Sequence, residues 1–521
     1  MAPHMSAQAQ TTRRGWNLSS STPRARAART LARGNARTHG AVGQRRLRAL
    51  ASRQTRRHSD TTSLVAARSS TTSIAQTSSE SSDDSGESRS STEAEAHTHW
   101  RNVAILVAGV MLTVNMHRSA FSSVAMVLQK DYAITTSQMG LLHSAQLWGY
   151  GAGQIPSGIL ADKIGGPLIL FAGAFMWSVC TAFFPHVASW TNPFIPMVIL
   201  RILFGFFSAV ALPATTATTS QVVPLARRAT TISLIYASFN MGTVVGMAAT
   251  PALTVTGGWS KSFELYGSIG MVWSAAALIF LFVTKAGMQK RLPKENAKAN
   301  RGSRIQNTWK QLTSMSRGSI LQILGLLWSH SVIGFGYFVL LSWVPTFLSS
   351  QVGMSSPRML GLLSAVPFLS TAVLACFVGN IADYLIVKRK WAVSATRRLM
   401  MVFSTLGPAL GLAMLAMTPT QATFAPLYAL IALTVSMGFQ AFNYPGFHAY
   451  VQDVAGPSGN AGLLLSVTNT GGVIFGAVGN LLTGVMVEKT GTFASVFWSS
   501  SALYVLSFFV WCTIMTGEEL K

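Results

Sequence analysis

Long apolar blocks separated by short polar connections run from Val103 almost to the end of the chain. A helix needs about 20 apolar residues to cross a bilayer, and the pattern predicts twelve such spans. Helices are favoured over strands, because lipid cannot satisfy the open edge of a sheet. The predicted spans are 103–128, 138–161, 167–188, 193–219, 229–254, 263–284, 319–349, 359–384, 397–418, 423–450, 460–485 and 492–516.

Basic residues concentrate in the even-numbered connections, those after the second, fourth, sixth and eighth spans. These connections hold seventeen Lys and Arg, against four in the odd-numbered connections. By the positive-inside rule, both ends of the twelve-span body and its central loop face the same side, cytosol or stroma. The chain therefore divides into an N-terminal lobe at 100–284, a basic central loop at 285–318, a C-terminal lobe at 319–516 and a tail at 517–521.

Composition supports a membrane protein, since charged residues make up 11% of the chain against about 25% in ordinary soluble proteins. Only nine acidic residues occur from position 100 onward. The cysteines at 180, 376 and 512 are scattered through apolar runs and suggest neither a disulfide framework nor a metal site. We therefore expect no resident metal or cofactor.

The first 59 residues contain 13 Arg and no acidic residue, with Ser, Thr and Ala between them. This composition is typical of a transit peptide, and we expect residues 1–79 to be a disordered leader of this kind. A basic arm for lipid head groups or nucleic acid is the alternative, but no interleaved aromatic residues support nucleic-acid binding. Residues 80–99 are acidic and Ser-rich, which predicts a disordered linker. Composition alone leaves plastid and mitochondrion both open as the destination.

A G-x-x-x-D sequence closes the second and the eighth spans, as Gly158 to Asp162 and Gly379 to Asp383. Glycine lets two helix ends approach closely, and the aspartate can cap a neighbouring helix or pair with a basic residue. We expect these four residues to act in conformational gating. An Asn-x-Gly sequence also recurs, at Asn240 in the fifth span and Asn469 in the eleventh. Such internal repetition is typical of two-lobed secondary transporters with a site between the lobes.

The G-x-x-x-D turn resembles the loop motif of the major facilitator superfamily. Longer strings resemble one branch, the anion:cation symporters, which includes sialin, vesicular glutamate transporters and plastid phosphate transporters. They include Asn115-Met-His-Arg118, Leu147-Trp-Gly-Tyr150, Arg201-Ile-Leu-Phe-Gly205, Val210-Ala-Leu-Pro213, Leu340-Leu-Ser-Trp-Val-Pro-Thr346, Ser364-Ala-Val-Pro367 and Asn443-Tyr-Pro-Gly-Phe-His448.

The resemblance implies an all-helical fold of two six-helix lobes and a monomer in a chloroplast membrane, either inner envelope or thylakoid. It implies transport of a small anion, phosphate first, coupled to sodium or protons. An organic anion such as ascorbate, glutamate or a dicarboxylate, driven by membrane potential, is the alternative, and a non-transporting anion receptor is a remote one. Ser208 departs from the family, which usually has a glutamate there, so proton coupling through this position is in doubt.

Two arginines lie deep in predicted spans, Arg118 in the first and Arg201 in the fourth. A charge at depth is costly and normally faces a cavity and a partner. A guanidinium binds phosphate or carboxylate through paired hydrogen bonds, so we expect both to bind the anion. For Arg201, a head group that reaches the membrane interface is the alternative.

Other polar residues within the predicted spans are candidates to bind the anion or to line its cavity. Their alternative role is packing, through hydrogen bonds between helices. A histidine can also donate to an anion and respond to pH. The candidates are His143, Tyr236, Asn240, His330, Asn443 and Asn469.

Overall fold

The computed structural model of the chain describes residues 84–284, 316–419, 422–455, 461–518 and 520. The described residues form thirteen α-helices. They are α1 (Asp84–Asp131), α2 (Thr136–Ile164), α3 (Gly166–Ala188), α4 (Phe194–Ser208), α5 (Ala211–Val222), α6 (Leu225–Thr284), α7 (Arg317–Ser350), α8 (Pro357–Asp383), α9 (Val393–Ala416), α10 (Ala425–Phe439), α11 (Ala449–Ala455), α12 (Ala461–Thr490) and α13 (Ala494–Ile514).

The helices account for the twelve predicted spans. Ten segments of the described chain have the length and composition to cross a membrane. One of them, Thr231–Thr284, contains two spans, because the backbone of α6 turns at Gly258, where φ is 77°. α2 is a 29-residue helix of lower apolar content and supplies the remaining span. The predicted all-helical membrane architecture is therefore confirmed.

Two predicted spans, 193–219 and 423–450, contain irregular turns, and the sequence Asn443-Tyr-Pro445 predicts the second of them. The fourth span breaks between α4 and α5, because Pro213 lacks the N–H that would bond to the carbonyl of Ala209. The Ser157 hydroxyl lies 3.3 Å from that carbonyl oxygen and donates to it instead. The tenth span breaks at Pro445 into a 3₁₀ turn, Gln440–Phe442, and a π-helical turn, Tyr444–His448.

The predicted leader at 1–79 and most of the central loop, 285–315, lie outside the described residues. The backbone is described as helical from Asp84, where a linker was expected.

The two lobes pack closely at the distal side, meaning the side of the odd-numbered connections. Gly140 of α2 lies against the backbone of α12, and a Cβ added at Gly484 would lie 2.6 Å from the Thr136 carbonyl oxygen. The Ser137 N–H, at the start of α2, donates to a carboxylate oxygen of Glu488 at 2.6 Å. This bond joins the end of α12 to the N-terminus of α2 and links the lobes.

Packing differs at the basic side, the side of the even-numbered connections. Gly158 and Gly379, the glycines of the repeated motif, would carry a Cβ with nothing within 4 Å. Near the distal side, by contrast, a Cβ at Gly361 of α8 would lie 2.7 Å from the Ala248 carbonyl oxygen of α6. The structure is therefore closed at the distal side, with these motif glycines unpacked at the basic side.

Gly484→Ala is expected to weaken distal closure, because overpacking a tight contact costs about 1–3 kcal/mol. A Ser137→Cys reporter, placed in a chain whose three cysteines are replaced by Ser, should react faster with an impermeant maleimide applied from the distal side. Gly151→Ala is the matched control, since its Cβ would meet only Val473 at 3.8 Å. Equal labelling rates in the Gly484→Ala variant and the parent would contradict this account of closure.

Candidate functional site

Two arginines are buried between the lobes. Arg118 on α1 is 7% exposed and Arg201 on α4 is 5% exposed, and both line one narrow gap. Among the residues that the structure describes, neither guanidinium pairs with a carboxylate; an ion pair described there joins Arg397 to Asp453 near the basic side. The alternative in which Arg201 reaches the membrane interface does not hold, because its head group is buried in the protein.

Arg201 is held by α2 and by an aromatic ring. Its Nε donates to the Leu142 carbonyl oxygen at 3.4 Å, and its Nη2 donates to Gln146 Oε1 at 2.5 Å. Leu142 and Gln146 are one helical turn apart, so a single guanidinium reaches both. The guanidinium carbon also lies 3.9 Å from the centroid of the Phe121 ring, close enough for a cation–π interaction.

Arg118 has fewer contacts. Its Nη1 donates to Asn115 Oδ1 at 3.4 Å, and its guanidinium carbon lies 5.4 Å from the centroid of the Tyr150 ring. Asn115 is itself fixed, because its amide nitrogen donates to the Phe239 carbonyl oxygen at 3.0 Å. The amide oxygen of Asn115 is thereby turned toward the arginine.

Four buried polar atoms that line the gap have no hydrogen-bond partner among the described residues. They are Arg118 Nε, His143 Nε2, Gln146 Nε2 and Asn480 Oδ1. The gap has a volume of about 10 Å³, roughly what one water molecule requires. A buried polar group without a partner costs about 1–3 kcal/mol. The unpaired nitrogens can donate to a further oxygen, whereas the Asn480 oxygen is itself an acceptor.

The ring of His143 contacts both lobes at this gap. Its ring meets Phe121 of the N-terminal lobe edge-on, with centroids 5.2 Å apart. On the other side it packs on Trp343 of α7, in the C-terminal lobe, with centroids 5.3 Å apart. The ring is therefore oriented by aromatic contacts, and its Nε2 lacks a partner within the described residues.

A larger chamber of about 220 Å³ adjoins the gap. Phe338 of α7 lines both spaces. The polar side chains of the chamber are neutral amides, a hydroxyl, phenols and imidazoles. They belong to Asn240, His330, Tyr337, Thr371, Gln440, Asn443, Tyr444, His448 and Asn469.

The break in the tenth span explains part of this lining. Proline at position 445 has no N–H for a regular helix, and the chain passes through a π-helical turn from Tyr444 to His448. π-Turns inside helices often occur at functional sites. Here the break places Asn443, Tyr444 and His448 together on the chamber wall.

The structure brings most of the predicted binding residues to these two spaces. Arg118, Arg201 and His143 line the gap, and the other predicted residues except Tyr236 line the chamber. Tyr236 is not among the lining residues of either space; its carbonyl oxygen accepts from the Asn240 amide at 3.1 Å.

The four residues predicted to act in gating lie away from the two spaces. Gly158 is within α2, and Gly379 and the exposed Asp383 are near the end of α8. Asp162 belongs to α2, but its side chain lies outside the described part of the chain. The gating role therefore stays a prediction.

Sequence reasoning missed Tyr337, Phe338, Gln440 and Asn480. Asn480 and Gln440 carry the same signal that pointed to Asn469, a carboxamide inside an apolar span. Tyr337 and Phe338 carry no such signal, because aromatic residues in a span are usually core or lipid-facing. Only the fold distinguishes the two cases.

Ser208, where the family usually has a glutamate, is fully buried in α4. Its hydroxyl donates to the Gly205 carbonyl oxygen at 3.0 Å, within the same helix. The side chain can neither carry a negative charge nor neutralise Arg201, which lies two turns earlier. The guanidinium therefore keeps its charge available to an incoming anion.

Comparisons with known proteins agree with this architecture. The model of the Major Facilitator Superfamily matches residues 103–396 and 355–520. Over 80% of this chain and 69% of its own length, the "Probable anion transporter 4, chloroplastic" of Oryza sativa subsp. japonica is 33% identical. The chloroplastic ascorbate transporter of Arabidopsis thaliana is 31% identical over 80% and 75% of the two chains. Sodium-dependent phosphate transport protein 1 of the same plant is 30% identical over 80% and 79%.

Solved structures share the fold at low sequence identity. The crystal structure of a D-xylose-proton symporter superposes with a TM-score of 0.63 at 14% identity, covering 81% of this chain and all of that one. The inward-open conformation of a xylose transporter from E. coli gives 0.60 at 16%, covering 80% and 96%. The expected two lobes of six helices are thereby confirmed. The chain belongs to the major facilitator superfamily, and within it to the anion transporters of the plastid type.

Proposed function

We propose that this protein is a secondary active transporter that carries a small anion across a chloroplast membrane by alternating access. Inorganic phosphate is the first candidate for the anion, and a cation, sodium or proton, is the coupled ion. The inner envelope and the thylakoid are the two candidate membranes. The ascorbate and phosphate transporters named among the relatives both carry anions, which supports the class and leaves an organic anion as the alternative.

One observation carries the proposal: two buried guanidinium groups face a gap where several further nitrogen atoms lack partners among the described residues. Arg118 Nε, His143 Nε2 and Gln146 Nε2 can each donate a hydrogen bond to an oxygen placed there. A charge buried without a counter-ion is unfavourable. An anion that bridges the two arginines supplies that counter-ion and satisfies the donors together.

An anion that moves from the chamber to the arginines has to pass Phe338, which lines both spaces. The chamber can hold an anion of several heavy atoms, whereas the gap in this state is water-sized. An anion therefore enters the chamber first and reaches Arg118 and Arg201 as Phe338 moves. Rocking of the lobes about the bound anion then opens the distal side, where Glu488 and Ser137 now hold the lobes together.

Uptake of radiolabelled phosphate into proteoliposomes of the full-length protein tests this function. Saturable uptake that an inward sodium or proton gradient stimulates is the expected result. Labelled ascorbate, tested in parallel with an imposed membrane potential, distinguishes the organic-anion alternative. Binding of either anion without accumulation in the vesicle would identify a receptor and contradict transport.

Arg118→Ala is expected to abolish saturable uptake while the protein still folds and inserts, because the anion loses one of its two positive partners. Arg118→Lys should keep partial uptake, since lysine retains the charge and loses the planar fork. Arg358→Ala, at the exposed start of α8, is the matched control. Uptake at the wild-type rate by Arg118→Ala would refute the site assignment.

Gln146→Leu keeps the size of the side chain and removes the oxygen that accepts from Arg201. Loss of a hydrogen bond to a charged group costs about 1.5–3 kcal/mol, so the half-saturating phosphate concentration should rise by about tenfold or more. The purified protein should also unfold at a lower temperature. Gln129→Leu, outside both spaces, serves as control, and equal effects of the two changes would contradict the proposed role of Gln146.

A further inference from the structure

Two histidines face each other on the chamber wall. His330 of α7 and His448 of the π-helical turn have ring centroids 5.8 Å apart, with the rings nearly perpendicular. His330 also packs on Phe447 at 4.7 Å, and His448 stacks on Tyr444 at 5.8 Å. Both histidines line the chamber into which we place the entering anion.

The hydrogen bonds of Thr468 assign the hydrogen on His330. The Thr468 hydroxyl donates to the Leu464 carbonyl oxygen at 3.0 Å, which uses its only hydrogen. Its oxygen lies 3.0 Å from His330 Nδ1 and accepts from it when the hydroxyl hydrogen stays on the Leu464 carbonyl. In that tautomer Nδ1 carries the hydrogen of the neutral ring, and Nε2 is the nitrogen that takes up a proton.

The carboxylates whose side chains are described lie away from the chamber. They are Asp131, Glu264, Asp383, Asp453, Glu488 and Glu518, and all are exposed. The glutamate that the family usually has in the fourth span is Ser208 here. A proton carried with the anion through the middle of the described body therefore has imidazoles, not carboxylates, as its acceptors.

The other two buried histidines are engaged elsewhere. The ring of His117 lies between the Tyr266 carbonyl oxygen at 2.9 Å and the Thr181 hydroxyl at 3.1 Å, within the N-terminal lobe. His143 lines the gap beside Arg118 and Arg201, whose positive charges oppose its protonation. Among the described residues, His330 and His448 are the histidines that line the chamber, and no arginine lines it.

The titratable groups that face the pair are phenols. Tyr444 stacks on His448, and Tyr337 of α7 lines the same chamber. The facing part of α12 contributes Thr468, Asn469 and Gly472, which do not titrate. Asn240 of α6, one turn after Tyr236, also lines the chamber. Arg118 lines the gap and not the chamber.

We infer that His330 and His448 form the proton-binding site that couples anion transport to a proton gradient, an inference that rests on the transport function proposed above. The proton adds to Nε2 of His330, with His448 as the neighbour that can receive it. One proton is bound at a time, because two adjacent imidazolium ions would repel each other. On the other side of the membrane the proton leaves the same nitrogen, together with the anion.

The coupling follows from charge balance. A proton on the buried His330 or the half-buried His448 has no counter-ion among the described groups that face the pair, and burial opposes the charge. An anion in the chamber supplies the missing negative charge, so each ligand favours binding of the other by the same factor. The neutral amides and phenols of the chamber can orient the anion without supplying a fixed charge that would replace the proton.

The test uses full-length protein in proteoliposomes and two assays on each variant. The first measures exchange of labelled for unlabelled phosphate at equal pH, which requires binding and alternating access but no net proton movement. The second measures phosphate uptake with and without an inward proton gradient, at zero sodium, and gives a stimulation factor. A parallel set uses labelled ascorbate in place of phosphate. The variants are His330→Gln, His448→Gln and the buried control His117→Gln.

The expected result is a stimulation factor well above one in the wild type and near one in His330→Gln and His448→Gln, each relative to its own exchange rate. The folded fraction of the His117→Gln variant should keep the wild-type stimulation factor. Stimulation that persists in both chamber variants, or that is absent in the wild type while exchange proceeds, overturns the inference and leaves anion transport intact. Loss of exchange in both variants also overturns it, because the pair would then serve anion binding or folding. No exchange of either anion by the wild type overturns the transport function and this inference together.

Discussion

Two guanidinium charges are buried in the middle of this membrane protein, and no carboxylate of the described part of the chain lies beside them. Burying an arginine at bilayer depth costs from about 2.5 to over 10 kcal/mol. The protein reduces that cost with neutral partners, the Gln146 amide and the Leu142 carbonyl for Arg201 and the Asn115 amide for Arg118. Dipoles of this kind stabilise a positive charge without cancelling it. In the proposed function, the remaining positive potential attracts the anion to the gap.

The two lobes contribute different residues to the gap around these charges. Both arginines belong to the N-terminal lobe, whereas Trp343, Phe338 and Asn480, which close the gap around them, belong to the C-terminal lobe. A bound anion therefore interacts with both lobes only when they meet around it. At the distal side, close glycine contacts and one carboxylate at a helix N-terminus join the lobes. Buried apolar residues of both lobes, Leu142 and Phe347 among them, also form one cluster, so opening of this side has to separate apolar surfaces as well.

Sequence reasoning predicted those features that leave a chemical signal. A charge within an apolar run is conspicuous, so Arg118 and Arg201 were found, and repeated glycine motifs pointed to two lobes. The break near Pro213 was not anticipated, because proline often sits within a membrane helix whose neighbours satisfy the freed carbonyl. Phe338 could not be distinguished from other aromatic residues, since its role depends on its position between two cavities. Tyr236 had the right chemistry but is not among the residues that line either space.

The central claim is that the anion binds between the two arginines. A structure of the purified protein determined with bound phosphate tests this claim most directly. The account predicts phosphate oxygens within hydrogen-bonding distance of both Arg118 and Arg201, with His143 Nε2 donating to the same ion and Phe338 displaced from its present position. Phosphate found only in the chamber, with the arginine gap still closed and water-sized, would contradict it.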